Sequence, residues 1–198
     1  MEKIRLSFFD TFAYLIPGIL VVLSISIAYK TEIKSLSDIP NSYKDFSTSE
    51  ILFAFLIAYI IGIICNFFGH ELYQVAKKVW KKDVIVQENF HLTDTEIHVL
   101  IRELSPNNYS YLQSWLGLSN MSHNIAIAML ISCFVSVFKM FQVGTANILD
   151  WIFLLFVSIV STIIFLKRSI RFNNYFKAEK VAAIEKLELL EKAKVNKR

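Results

Sequence analysis

Glycine and proline are scarce, at five and three in 198 residues. Chains that reverse direction often draw on both, glycine for positive φ and proline for a fixed φ. Their shortage argues against a turn-rich β-architecture. Cysteine is scarcer still. Cys65 and Cys133 both fall inside apolar runs, so a secreted disulfide framework is excluded and reduced, buried thiols are expected. Charged residues make up 19% of the chain, against about 25% in soluble domains, while apolar residues reach 55%. Chemical signatures are missing too. No G-x-S-x-G, P-loop or G-x-G-x-x-G pattern occurs. His70, His91, His98 and His123 do not fall at zincin or zinc-finger spacing. No catalytic residue, cofactor or metal is therefore expected, and the chain reads as non-enzymatic.

What is present is concentrated in four apolar blocks. They run from about Thr11 to Tyr29, Ile51 to Phe68, Asn124 to Val143 and Ile148 to Leu166. Each approaches the ~20 residues that cross hydrocarbon at ~1.5 Å per residue. A transmembrane barrel would instead show alternating segments about half as long. The predicted fold class is all-α: a four-helix transmembrane bundle with a small helical cytoplasmic module and a long C-terminal helix. Four regions follow: a first transmembrane hairpin (1–72), the module (73–122), a second hairpin (123–166) and a basic tail (167–198). The first block has a basic flank, Lys3 and Arg5. It is nevertheless too long for a signal peptide and lacks a small-x-small cleavage pattern after Tyr29, so it is expected to be retained.

Orientation follows from Lys and Arg in the flanks. Residues 1–10 carry two, 30–50 three, 73–122 five, 144–147 none and 167–198 ten. The positive-inside bias then places both termini and the middle segment in the cytoplasm.

Several features inside the spans bear on packing. Pro17-Gly18 lies mid-span, where a lost backbone donor predicts a kink, read either as a hinge or as a static bend. Ala54, Ala58, Gly62 and Asn66 recur at four-residue spacing, as do Asn124, Ala128, Ser132 and Ser136. Small residues on one face permit close helix approach. The two stripes are expected to pack together or against a second copy of the chain. Lys139 interrupts the third block near its outer end and is expected to snorkel to the interface. The spans carry no ladder of acids or arginines of the kind found in pumps and voltage sensors.

The second span is expected to continue as a basic amphipathic helix. Leu72, Val75, Ala76 and Val79 form its apolar stripe. Lys77, Lys78, Trp80, Lys81 and Lys82 are candidates for contact with anionic headgroups. Thr93-Asp94-Thr95-Glu96 reads as a capping box for a helix with Ile97, Leu100, Ile101 and Leu104 on one side, ended by Pro106. Tyr109, Leu112, Trp115 and Leu116 give a second short amphipathic stretch up to Gly117, and Ser119 to Ser122 offer caps for the third span. Trp80, Arg102 and Tyr109 are candidates for a nucleotide ligand. Ala183, Ile184, Leu187 and Leu190 form a stripe in the tail, suited to a coiled coil or to packing on the module.

Asp10-Thr11-Phe12-Ala13-Tyr14-Leu15-Ile16-Pro17-Gly18 resembles the D-x-x-x-Y-L-I-P-G opening of small multi-span bacterial membrane proteins. Ser119 to Asn124, directly before the third span, is similar to a short M-S-R-N-like element in them, with His123 in the place of arginine. Several such proteins accompany anti-phage defence genes, including membrane accessory proteins of Cas13b-type CRISPR systems and cyclic-nucleotide-triggered effectors. The resemblance implies a bacterial inner-membrane protein that oligomerises and perturbs permeability on a cytoplasmic signal. The expected partners are the lipid bilayer, further copies of the chain and a soluble cytoplasmic partner. The alternative is an anchor or sensor subunit that holds that partner without forming a pore.

Overall fold

Long apolar runs with little to stop them give long helices. The computed structural model describes residues 2–80, 94–145 and 147–195, with side chains for 11–80, 95–145 and 147–187. Among the described residues six helices follow in order: α1 (Glu2–Tyr29), α2 (Asp38–Tyr43), α3 (Thr48–Trp80), α4 (Asp94–Leu104), α5 (Pro106–Val143) and α6 (Ile148–Val195). No strand occurs among the described residues. Four of the helices, α1, α3, α5 and α6, are long and apolar enough to cross a membrane. Their outward faces remain rich in exposed Phe, Ile and Leu, such as Phe53, Phe67, Phe134 and Phe156. In hydrocarbon that exposure carries no penalty, and intrahelical bonding satisfies the backbone.

The four long helices alternate in direction. α1 and α5, the first and third spans, are parallel, and contacts between them run in the same order along both helices: Ala13 with Asn124, Ser24 with Ser132, Lys30 with Lys139. One end of the bundle carries α4 and is the head end. The other carries the 30–47 connection and is the loop end. α1 lies between α3 and α5. α6 packs along α5 and also meets α3 at the head end, where Tyr73 and Ala76 join Ala126, Leu166 and Ile170.

The helices extend well beyond the apolar blocks. α3 and α6 continue into the head, and α6 has 48 residues, about 72 Å at ~1.5 Å each. α5 runs unbroken from Pro106 to Val143 and passes straight through Gly117, where the sequence suggested a boundary. A single glycine costs a helix only about 1 kcal/mol. Packing on α6 bridges it: Trp115 lies against Phe172 and Tyr175, and the Ser119 hydroxyl against the Ser169 hydroxyl and carbonyl. The Ser119–Ser122 segment therefore lies within the helix rather than capping it.

The head has its own small core of Ile97, Ile101, Leu112, Ala183 and Ile184, with Leu187 against it. The tail stripe thus packs on α4 and α5. The N-cap residue Thr93, together with Lys81, Lys82 and His91, lies outside the described residues, as does the side chain of Leu190. The continuation of α3 differs from its expected pattern. Val75 and Val79 are exposed, while Tyr73 and Ala76 are buried against α6. The side of α3 that faces α6 is set by where α6 stands, which hydrophobic spacing on α3 alone does not specify.

Candidate functional site

Proline in a helix leaves one carbonyl without a donor. For Pro17 that carbonyl belongs to Ala13, four residues earlier. It accepts a hydrogen bond from Asn124 Nδ2 on α5 at 3.1 Å. Pro17 and Asn124 are both fully buried. A neighbouring helix thereby satisfies the backbone group that proline orphans, which is how membrane helices tolerate proline. α1 is continuous across Pro17.

The same level of the bundle brings α1 and α3 to backbone contact. A Cβ on Gly18 would collide with the Ala58 carbonyl, and one on Gly62 with the Tyr14 carbonyl. On the head side of this crossing, a Cβ on Gly69 would come 2.9 Å from His123 Cδ2 and 3.0 Å from Asn124 Oδ1. Gly18, Gly62 and Gly69 are therefore required for close approach. Ala58 and Gly62 are buried against α1, while Ala54 lines a shallow apolar groove with Ile19, Leu23 and Phe46. Asn66 Oδ1 has no hydrogen-bond partner among the described residues.

The α5 stripe also faces α1. Asn124 reaches Ala13, and Ala128 packs with Val21 and Cys65. Ser132 Oγ lies 2.7 Å from Ser24 Oγ, and Ser136 Oγ donates to the Ser132 carbonyl within its own helix. The two small-residue stripes thus engage α1 as a shared partner, and α3 and α5 meet each other at Cys65 and Gly69. The periodicity of each stripe marks a close-packing face. It contains nothing that names the helix opposite.

Lys139 ends this face. It is 0% exposed, and its Nζ donates to the carbonyls of Lys30 at 2.7 Å and Ile33 at 3.3 Å and to Gln142 Oε1 at 2.7 Å. The expected snorkelling is thus replaced by a buried cation at the C-terminal end of α1, where the helix dipole favours positive charge. The cause is the 30–47 connection, which folds over the loop end. Ile33 and Trp151 are fully buried there with Ile27 and Val135. Trp151 Nε1 donates to the Lys34 carbonyl, and Asp150 accepts from the Leu36 N–H. Asp38 accepts from the N–H groups of Ser35 and Lys34, and these backbone donors hold its carboxyl below the usual carboxylate range. Lys30 Nζ lies 4.3 Å from the centroid of the Tyr43 ring and donates to the Ser42 carbonyl.

At the head end, polar and aromatic groups gather around His123. Its ring lies 6.1 Å from His70 and 5.9 Å from Tyr73, centroid to centroid. His123 Nδ1 is 3.4 Å from Ser169 Oγ, while Nε2 has no partner among the described residues. The Tyr73 hydroxyl accepts from Asn173 Nδ2 at 2.7 Å. No group of three His, Cys, Asp or Glu side chains able to hold a metal occurs among the described residues. Sequence spacing could not show this assembly, because it draws on three helices far apart in the chain. The single clue is His123 beside Asn124 at the edge of an apolar block.

The basic candidates separate. Lys78 is exposed on α3, Lys77 is half-buried, and Trp80 packs against the core containing Tyr73 and Ile170. Arg102 is exposed on α4, away from the face buried by Ile97 and Ile101. Tyr109 packs against the head core and meets His98 edge-on. No family model, curated protein or solved structure matches the chain.

Proposed function

We propose that the chain is a multi-pass membrane anchor and transducer, which holds a soluble partner on its head and links the state of that head to the bundle. The observation that supports this reading is the continuity of α5 and α6. Each passes from head to loop end without a break, and the two share packing from the head core to Trp151. A rigid pair of this kind moves as one body, so a force on the head is felt at the Pro17–Asn124 contact. The bias of Lys and Arg toward the head supports a cytoplasmic head. The reading is tested by crosslinking in intact cells, followed by purification through the head. A defined stoichiometric partner, released by substitutions on exposed head positions such as Arg102→Glu and Tyr111→Ala, is the expected result. Capture of no protein above the level of an unrelated multi-span control contradicts it.

A second reading is a permeabilising effector assembled from several copies, as the sequence resemblance implies. It is favoured by the polar seam along α5, where Asn124, Ser132, Ser136 and Lys139 follow one another across the bundle. In one copy the seam is closed by α1 and by the cap over Lys139, so conduction requires rearrangement or assembly. Ion flux through proteoliposomes containing the chain alone, absent in Lys139→Met vesicles, supports this reading. Vesicles that stay tight at every protein density and in the presence of the partner count against it.

A further inference from the structure

The last apolar residue of α6 before its basic run is Leu166, and the helix enters the opposite side at Ile148. Nineteen residues at ~1.5 Å span about 28 Å, close to the ~30 Å of hydrocarbon. The next turns of α6 therefore stand at the depth of the phosphate layer. Between them and the end of α3 lies a groove of about 340 Å³, lined by Trp80, Lys167, Ile170, Arg171 and Asn174. Positions 167, 170, 171 and 174 share one helical face by their i, i+3, i+4, i+7 spacing. Ile170 is buried and forms part of the core, joined to Tyr73 and Ala126. Lys167 Nζ lies 5.7 Å from the centroid of the Trp80 ring. Lys167 and Arg171 form no ion pair among the described residues, and no carboxylate occurs among the described lining residues.

We propose that this groove binds a phosphate-bearing anion, with Arg171 and Lys167 on the phosphate oxygens and the Trp80 ring beside the attached organic group. Arginine presents a planar fork of donors that matches phosphate oxygens in pairs. Lysine adds a compact charge held against an aromatic face. The volume lies at the lower end of the range for small-molecule sites, roughly 300–1,000 Å³, which suits one headgroup or one nucleotide rather than a polymer. The groove opens at the bilayer edge beside Tyr73, whose ring touches His123 next to the Asn124 clamp. Two side chains, Tyr73 and His123, stand between an occupant there and the contact that joins α1 to α5.

A phospholipid headgroup and a soluble nucleotide share this chemistry, and the test separates them. The full chain is placed in nanodiscs of phosphatidylcholine containing about one-fifth phosphatidylglycerol, in keeping with an anionic leaflet. Bound lipid is counted by native mass spectrometry. In parallel, ATP and inorganic phosphate are titrated calorimetrically against the chain in pure phosphatidylcholine. Each basic residue near a surface is worth about a fivefold change in anion affinity, so Lys167→Ala with Arg171→Ala is expected to lower it about thirtyfold. Arg171→Gln alone, which leaves the Lys167–Trp80 contact in place, is expected to lower it about fivefold. Lys186→Ala, which removes an exposed charge on the same helix, leaves it unchanged. Phosphatidylglycerol retention lost in the double variant assigns the site to lipid. ATP or phosphate binding lost in that variant, with no lipid retained, assigns it to a soluble ligand. Equal anion affinity in the wild type, the double variant and Arg171→Gln overturns the proposal.

Discussion

The two ends of the bundle use charge differently. At the loop end four charged side chains are held by backbone groups, while Glu32, Lys34, Lys44 and Asp45 remain exposed. Lys139 caps α1, Asp150 and Asp38 accept from turn N–H groups, and Lys30 lies over Tyr43 while donating to a carbonyl. At the head end Lys167, Arg168 and Arg171 stand exposed along α6, although Lys180 further along is buried. One end is a closed fitting, and the other offers cations to whatever anion lies beside it. The difference matters because a buried cation with three acceptors is costly to remove, whereas an exposed cation contributes little to stability. The loop-end charges therefore serve the fold, and the exposed head-end cations contribute little to it.

The largest test of that contrast is Lys139→Met. It fills similar volume but strips the Lys30 and Ile33 carbonyls of their donor, and is expected to cost about 3 kcal/mol. Thermal unfolding in detergent by circular dichroism reads this, and an unchanged midpoint would mean the loop end is not closed in solution. Next comes Gly62→Ala in the crossing that joins the two ends. The added Cβ meets the Tyr14 carbonyl, and the expected cost is about 2 kcal/mol from overpacking, seen in the same melt.

Asn124→Leu removes the donor to Ala13 and is expected to cost about 1 kcal/mol, the usual scale of interhelical hydrogen bonds in membranes. Pro17→Ala restores an N–H for that same carbonyl. The double variant should therefore lose less than Asn124→Leu alone, and a double-mutant cycle measures the coupling. Simple additivity would show that the two residues act independently.

Smaller still is the effect of Asp38→Asn. A carboxyl whose folded value is depressed stabilises the fold above its unfolded value, about pH 4, and loses that contribution as pH falls through the folded value. Wild type should thus lose stability below about pH 4 slightly more steeply than Asp38→Asn, as read from melting midpoints across an acid series. Smallest of all, Lys167→Ala with Arg171→Ala should shift stability by under about 0.5 kcal/mol. A larger shift would place these cations with the structural charges of the loop end and erase the contrast.

The sequence-based expectation of a likeness to defence-associated membrane proteins draws, in the first span, on Asp10 to Gly18. Within that stretch Tyr14, Pro17 and Gly18 each contribute to helix packing. Tyr14 and Gly18 form the α1–α3 crossing, and Pro17 leaves the carbonyl that Asn124 fills. A motif of this kind can recur wherever two helices must cross closely beside a proline. The motif is accounted for as packing chemistry whatever the activity of the proteins that share it.

The sequence by itself determined the solvent and the helices. Runs such as Ile51–Phe68 and Ile148–Leu166 can hide their backbone polarity in lipid only by coiling on themselves. It also marked Gly62, Ala58, Asn124 and Ser132 as interfacial, because small and weakly polar residues at four-residue spacing fit that role and few others. Which helix each stripe meets was decided by tertiary structure alone, since α1 stands between α3 and α5 and serves both. So was the burial of Lys139, because the carbonyls that receive it come from a connection more than a hundred residues earlier. The same holds for the groove of Trp80, Lys167 and Arg171. Its halves belong to helices that meet only after the chain has crossed the membrane twice more, and no local spacing records that meeting.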